Sequence, residues 1–184
     1  MNWNEQRPDD AMAGAFEAIG PEHIHTVDPK LFREAMSRLG AAVHVITTDG
    51  PAGRSGLTAT AVCSVSDSPP TLLICLNRKS QVSPVLRQNG VFCVNTLGPN
   101  DTEIADLFAG RTGVAREQCY STGDWIKLET GAPVLATAVV SCDCRIIEAK
   151  PVASHYVIFG AVVAVHLGPP GPALIYFDRS YRQV

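Results

Sequence analysis

Residues 54 to 66 read Arg54-Ser55-Gly56-Leu57-Thr58-Ala59-Thr60-Ala61-Val62-Cys63-Ser64-Val65-Ser66. β-formers mix here with small and hydroxyl side chains. A strand made to fill a core carries bulkier residues. Gly56, Ala59, Ala61 and Ser64 instead leave space, while Thr58, Thr60, Ser64 and Ser66 offer hydroxyls. Such a strand suits a flat, polar-edged ligand held close to the backbone by N–H groups and hydroxyls. A Gly- and Ala-rich edge or barrel-corner strand with no ligand has the same composition, so this stretch alone leaves both readings open.

The flanking sequence makes the stretch one arm of a hairpin. Ala41 to Thr48 is β-like, and Asp49-Gly50-Pro51-Ala52-Gly53 is dense turn sequence, so residues 41 to 63 read as strand, turn and strand. Ser68-Pro69-Pro70 breaks the chain again, and Thr71 to Leu76 reads as a buried strand. Further strands are expected at Val91–Leu97, around Trp125–Leu128, at Ala138–Ile147, Val157–His166 and Leu174–Phe177. In Ala138–Ile147, Val140, Cys142, Cys144 and Ile146 alternate with Val139, Ser141, Asp143 and Arg145, the pattern of a half-buried antiparallel strand.

Two longer helices are predicted. One starts with Asp28 as N-cap and Pro29, and its apolar stripe of Phe32, Ala35, Met36 and Leu39 is expected in the core, with Gly40 as the stop. The other starts at Asn100 with Glu103 in the capping-box position and runs through Ile104, Leu107 and Phe108 to Gly110. Strands that follow one another directly disfavour a doubly wound parallel sheet. The chain has no G-x-G-x-x-G after a strand, no G-x-S-x-G and no H-E-x-x-H. The fold expected is mainly β with flanking helices, an antiparallel barrel.

Bulk properties narrow the partners. The chain has 184 residues, enough for one domain with a real core. We expect a tail at 1–27, where Ala11 to Ile19 offers one or two helical turns, and a folded domain at 28–184. A net charge of -3 argues against nucleic acid or an anionic membrane as the main partner. The longest apolar run, Val157 to Val165, is far short of the roughly 20 residues of a membrane helix. The polar N-terminus does not read as a signal peptide. Six cysteines, none in a C-x-x-C pair, read as packed thiols in a reducing cytoplasm, not as disulfides or a metal site.

A second site-like stretch is Asn77-Arg78-Lys79-Ser80, where two cations, an amide and a hydroxyl end a strand. Ser83 and Pro84 then start a short helix that stops at Gly90. Cations beside a helix start suit a phosphate, although a solvated basic turn has the same residues.

The order of motifs resembles the flavin reductase family, the small reductase components of two-component flavin monooxygenases. The resemblance spans about Phe32 to Tyr181. It rests on Phe32–Met36, Gly56–Ser66, Ser68-Pro69-Pro70, Cys75–Ser80, Phe92–Leu97, Leu107–Gly110, Ser154-His155 and Tyr176–Tyr181, eight motifs in the family's order. It implies an antiparallel Greek-key split β-barrel that binds flavin, a homodimer, and reduction of FMN or FAD by NADH, with NADPH less favoured. The flavin is expected over Thr58, Ala59, Thr60, Ala61, Ser64, Val65 and Ser66, with Asn95 and Phe108 also in contact. Its phosphate is expected at Asn77, Arg78, Lys79 and Ser80. The nicotinamide is expected near His155, Asp178, Arg179, Ser180 and Tyr181, the last four forming a lid. Hydride transfer between two cofactors needs neither a protein nucleophile nor a metal. A transient partner, a flavin-dependent monooxygenase component, takes the reduced flavin. Two alternatives keep the fold: reduction of another acceptor such as a corrinoid or ferric complex, or a flavin- or haem-binding protein without turnover. His44 and His166, inside strand patterns, read as structural.

Overall fold

The computed structural model describes residues 24–184. The chain divides into two contact units, Met1–Met36 and Ser37–Val184. The helical turns expected over residues 11 to 19 and most of the expected tail lie outside the described residues.

Helix α1, Pro29–Ser37, begins as its sequence dictates. The Asp28 carboxylate accepts hydrogen bonds from the Lys30 and Leu31 amides at 2.8 and 3.1 Å. Its apolar stripe is a correction: no residue of α1 is buried, and Phe32, Met36 and Leu39 are exposed. An amphipathic period marks an apolar face but does not say what covers it.

The larger unit is built on a seven-stranded antiparallel sheet. Its strands are β2 (His44–Thr48), β3 (Ser55–Ala59), β4 (Val62–Asp67), β5 (Pro70–Asn77), β6 (Val91–Thr96), β9 (Val140–Val152) and β10 (His155–Leu167). Their order across the sheet is β3-β2-β6-β9-β10-β5-β4. A small sheet joins β1 (Ala41–Ala42), β11 (Leu174–Phe177) and β12 (Ser180–Gln183), and β7 (Trp125–Lys127) pairs with β8 (Pro133–Leu135).

The opening stretch is therefore two strands, not one. Residues 55–59 pair with β2 as the expected hairpin, but Val62 leaves it to pair with Ile74 of β5. β3 and β4 are the opposite edges of the sheet, yet only Thr60 and Ala61 separate them. Three Cα–Cα steps reach at most about 11 Å. The sheet must therefore curl until its edges nearly meet, which makes a barrel split at Thr60–Ala61.

The barrel interior is filled from five strands and one helix. Ile46, Leu72, Ile74, Leu76, Phe92, Val94, Cys144 and Ile158 pack with Val82 and Leu86 of α2 (Val82–Asn89). Gly160 of β10 is required here, because a Cβ at that position would stand 2.5 Å from Phe92 Cζ. A second cluster, Val43, Val45, Leu97, Leu135 and Leu174, packs with Ile104, Leu107 and Phe108 of α3 (Thr102–Phe108). β2 lies between the two clusters and is buried at every position.

Three local details differ from expectation. α2 starts at Val82, before Ser83, and Ser83 is buried. Asp101, not Asn100, stands at the start of α3 and spends its carboxylate on the Gly98 amide at 2.8 Å and the Thr137 hydroxyl at 3.0 Å. The C-terminal residues form a strand, β12, that is not expected from the sequence: Tyr176 pairs with Tyr181 and Phe177 with Ser180. The six cysteines are free thiols. Cys93, Cys119 and Cys144 are buried, whereas Cys63 is exposed. No group of side chains among the described residues is arranged to hold a metal. No described helix is long and apolar enough to cross a membrane.

Candidate functional site

Two clefts lie on either side of the split. The first, about 260 Å³, is lined by Thr58, Ala59, Thr60, Val43, Arg111, Tyr176 and Tyr181, with Ala109. The second, about 680 Å³, is lined by Asn77, Arg78, Lys79, Arg87, Ser154 and Tyr156, among others. The chain links them directly. The Cys75 amide donates to the Ala61 carbonyl at 3.0 Å, and Asn77 stands two residues further along β5, about 7 Å away at strand spacing.

At the split, Thr60 and Ala61 are exposed. Their amides donate to no carbonyl among the described residues. With Ala59 and Ala61 as methyl-sized neighbours, a planar ligand can approach this backbone and accept its free N–H groups. Thr58 is held differently. Its hydroxyl donates to the Ala105 carbonyl at 2.6 Å, tying β3 to α3 and leaving only acceptor capacity. Ser64, Val65 and Ser66 are exposed on β4, where the pairing with β5 slips between Ser64 and Ser66. Bulges of this kind recur beside functional sites.

The Asn77–Ser80 turn is preorganised by its own side chains. Asn77 Oδ1 accepts the Lys79 amide at 2.9 Å, and Ser80 Oγ accepts the Val82 amide at 3.3 Å. The Arg78 amide donates to the Ser154 carbonyl at 3.0 Å, which joins the turn to the β9–β10 hairpin. His155 pairs across the sheet with Asn77, and its Nδ1 lies 2.9 Å from Ser154 Oγ. So the structure brings His155 beside the basic turn. Asp178, Arg179, Ser180 and Tyr181 belong to the other cleft's side, on the β11–β12 hairpin.

That hairpin turns on Asp178 and Arg179, both in the left-handed region at φ 47° and 60°. A two-residue turn of this hand matches the twist of its strands, and Asp tolerates it better than Arg does. Tyr181 donates to Asp106 Oδ1 at 3.1 Å, and Arg111 pairs with the same carboxylate oxygen at 2.9 Å. Burial pushes the Tyr181 phenol up to about 12, although the nearby Arg111 pulls it down. It therefore stays protonated at neutral pH.

Two expected flavin residues are instead interior. Asn95 is fully buried. Its amide donates to the Val45 carbonyl at 3.0 Å, and its oxygen accepts the Leu135 amide and the Ser141 hydroxyl at 2.8 and 2.9 Å. Nothing polar is left on it for a ligand. Phe108 is buried against Tyr120 and Trp125, with ring centroids 5.0 and 5.6 Å away. It also sits over Gly56, where a Cβ would come within 2.7 Å of its ring. Both residues support β2 and β3 from behind. The structural histidines agree with their strand patterns: His44 Nδ1 lies 3.0 Å from Thr96 Oγ1, and His166 Nε2 lies 3.1 Å from the Ala136 carbonyl.

The sequence reading missed Arg87, Tyr156 and Arg111. Tyr156 follows His155 on β10, and successive strand residues face opposite sides, so either position was available to the cleft. Arg87 lies four residues after Ser83 on the same helix face.

A curled antiparallel sheet with ligand-sized clefts at its split defines a split-barrel binding protein. The model for the flavin reductase like domain matches residues 36–184, and the chain belongs to that family. FMN reductase (NADH) RutF 1 of Methylorubrum extorquens is 55% identical over 156 residues, covering 85% of this chain and 77% of its own length. FMN reductase (NADH) RutF of Variovorax paradoxus is 46% identical over 173 residues, 94% of this chain and 95% of its own. Among solved structures, the Streptomyces globisporus C-1027 NADH:FAD oxidoreductase SgcE6 superposes with a TM-score of 0.78 at 27% identity, covering 88% of this chain and 98% of its own.

Proposed function

We propose that this chain is an NADH:flavin oxidoreductase that reduces FMN, and FAD in second place, and releases reduced flavin to a flavin-dependent monooxygenase component. The observation that carries the reading is the short path between unlike sites. Free amides and small side chains at Thr60–Ala61 lie two strand residues from a basic turn at Asn77–Ser80. A flavin nucleotide has that same polarity, a flat ring at one end and a phosphate at the other. The relatives named FMN reductase (NADH) support FMN and NADH, while SgcE6 shows that a similar barrel serves FAD.

When bound, the cofactors supply the chemistry, a hydride moving from the nicotinamide to the flavin ring. The protein supplies position and charge. The Thr60 and Ala61 amides would hold the flavin ring by its polar edge and oppose negative charge on it. Arg78 and Lys79 hold the phosphate, with Asn77 and Ser80 shaping the turn. His155 positions the nicotinamide carboxamide. Tyr181 and Arg111 close the far side of the Thr58–Thr60 cleft, with Asp178, Arg179 and Ser180 setting the hairpin that carries Tyr181.

We also propose a homodimer. Leu73 and Cys75 on β5 alternate with buried Leu72, Ile74 and Leu76, so they face outward. Their partners across β10 are Phe159 and Val157, which alternate with buried Ile158. This outward apolar strip suits a second copy of the sheet. We take the reductase domain to begin at Asp28, which starts α1, and the tail to end before it. Six free thiols suit the cytoplasm.

The test is steady-state NADH oxidation with FMN, FAD and riboflavin, repeated with NADPH. Turnover that requires added flavin, fastest with NADH, is expected. NADH left unoxidised with every flavin, in protein shown to be folded, overturns the assignment.

A further inference from the structure

The larger cleft carries more positive charge than the expected phosphate turn accounts for. Arg78, Lys79 and Arg87 all line it, and no acidic residue does. Among the described residues none of the three makes an ion pair; the pairs that do form use other cations. Three like charges on one cleft repel one another, and an anion relieves that repulsion.

Arg87 is also aimed. It stands in the last turn of α2, and a long helical side chain leans back toward the helix start. That start adjoins Ser80 and Lys79. Its guanidinium carbon lies 4.5 Å from the centroid of the Tyr156 ring, and that of Arg78 lies 5.6 Å from the same ring. An aromatic face braces a guanidinium without spending its N–H donors, which point outward in the ring plane. Tyr156 thus braces two arginines at one cleft: Arg78 Nη1 also donates to the Ala153 carbonyl at 3.2 Å, whereas the Arg87 guanidinium donates to no group among the described residues.

We propose that Arg87, braced on Tyr156, is a specificity-determining residue that reads the phosphate end of the flavin nucleotide together with Arg78 and Lys79. This rests on the flavin site proposed above and adds to it a residue from a different element, α2. The consequence is discrimination. Riboflavin shares the ring contacts but offers Arg87 no charge to bind, so Arg87 strengthens FMN binding and does little for riboflavin.

The experiment measures the KM ratio of FMN to riboflavin, with NADH, in the wild type and in Arg87→Gln, Arg87→Lys and Tyr156→Leu. Flavin fluorescence quenching gives the same ratio as dissociation constants without turnover. A charge-assisted contact to phosphate corresponds to a loss of about tenfold or more. Arg87→Gln should therefore raise the FMN-to-riboflavin ratio about tenfold. Arg87→Lys should recover part of it, and Tyr156→Leu should raise it by a smaller factor by freeing the arginines. An equal change for both flavins marks Arg87 as merely structural and overturns the proposal. A raised KM for NADH with an unchanged flavin ratio assigns the cleft to the dinucleotide phosphates and also overturns it. If the wild type neither binds nor reduces any flavin, the flavin site itself falls, a result separate from an unchanged ratio in a working enzyme.

Discussion

His44 gives the fold a built-in pH dependence. It is buried in β2, directly between Ala59 of the platform strand β3 and Thr96 of β6. Burial lowers its pKa from 6.5 to about 4, so the folded protein holds it neutral. The unfolded chain titrates it normally and takes up a proton as pH falls below 6.5. Folding then competes with protonation, and stability is lost between pH 6.5 and about 4, with no further loss below. The full difference is about 3 kcal/mol, and about 2 kcal/mol of it is lost between about pH 7 and about pH 5. His44→Gln keeps a polar group near Thr96 and removes the titration. Urea unfolding of both proteins across this range isolates the effect, because the other titrating groups are common to both. The wild type should lose about 2 kcal/mol more than the variant toward about pH 5. Parallel pH profiles for the two proteins would refute the reasoning.

Two further substitutions test the barrel. Gly160→Ala places a methyl 2.5 Å from Phe92 Cζ and 3.0 Å from Cys144 Cβ. It should destabilise by about 1–3 kcal/mol, read as a lower urea midpoint at unchanged slope. Phe159→Asp puts a charge on the outward strip of β10 and leaves the interior cluster untouched. It should convert a dimer to a monomer in sedimentation velocity while the far-ultraviolet spectrum stays the same; an unchanged sedimentation coefficient places the dimer contact elsewhere.

Much of the barrel was legible because its signals are local. The alternation in Ala138–Ile147 announced β9, although the face expected to be polar and open is buried at Ser141 and Asp143, and Asp28-Pro29 announced the start of α1. What was hidden depends on contacts far apart in sequence. The stretch 54–66 looks like one strand, since β-propensity runs through it unbroken. Only the pairing of Val62 with Ile74, and of Ala59 with His44, shows that it crosses from one sheet edge to the other. The same limit explains Asn95. A polar residue in an apolar strand points equally well to a ligand or to a buried carbonyl, and Leu135 and Ser141, which satisfy it, lie 40 and 46 residues away. The resemblance implies Phe108 at the flavin, but its ring is spent on covering Gly56. Arg87 and Tyr156 escaped notice because neither is unusual alone; they matter through the ring contact between them.

The central claim is that this split barrel brings a nicotinamide and a flavin together for direct hydride transfer. Its most direct test is anaerobic stopped-flow mixing of the protein and FMN with one equivalent of NADH. The account predicts loss of the oxidised-flavin absorbance in step with loss of NADH, one for one, and slower transfer from NADH deuterated at the transferred position. Flavin that stays oxidised under these conditions, with the protein folded and flavin present in excess of its dissociation constant, would contradict it.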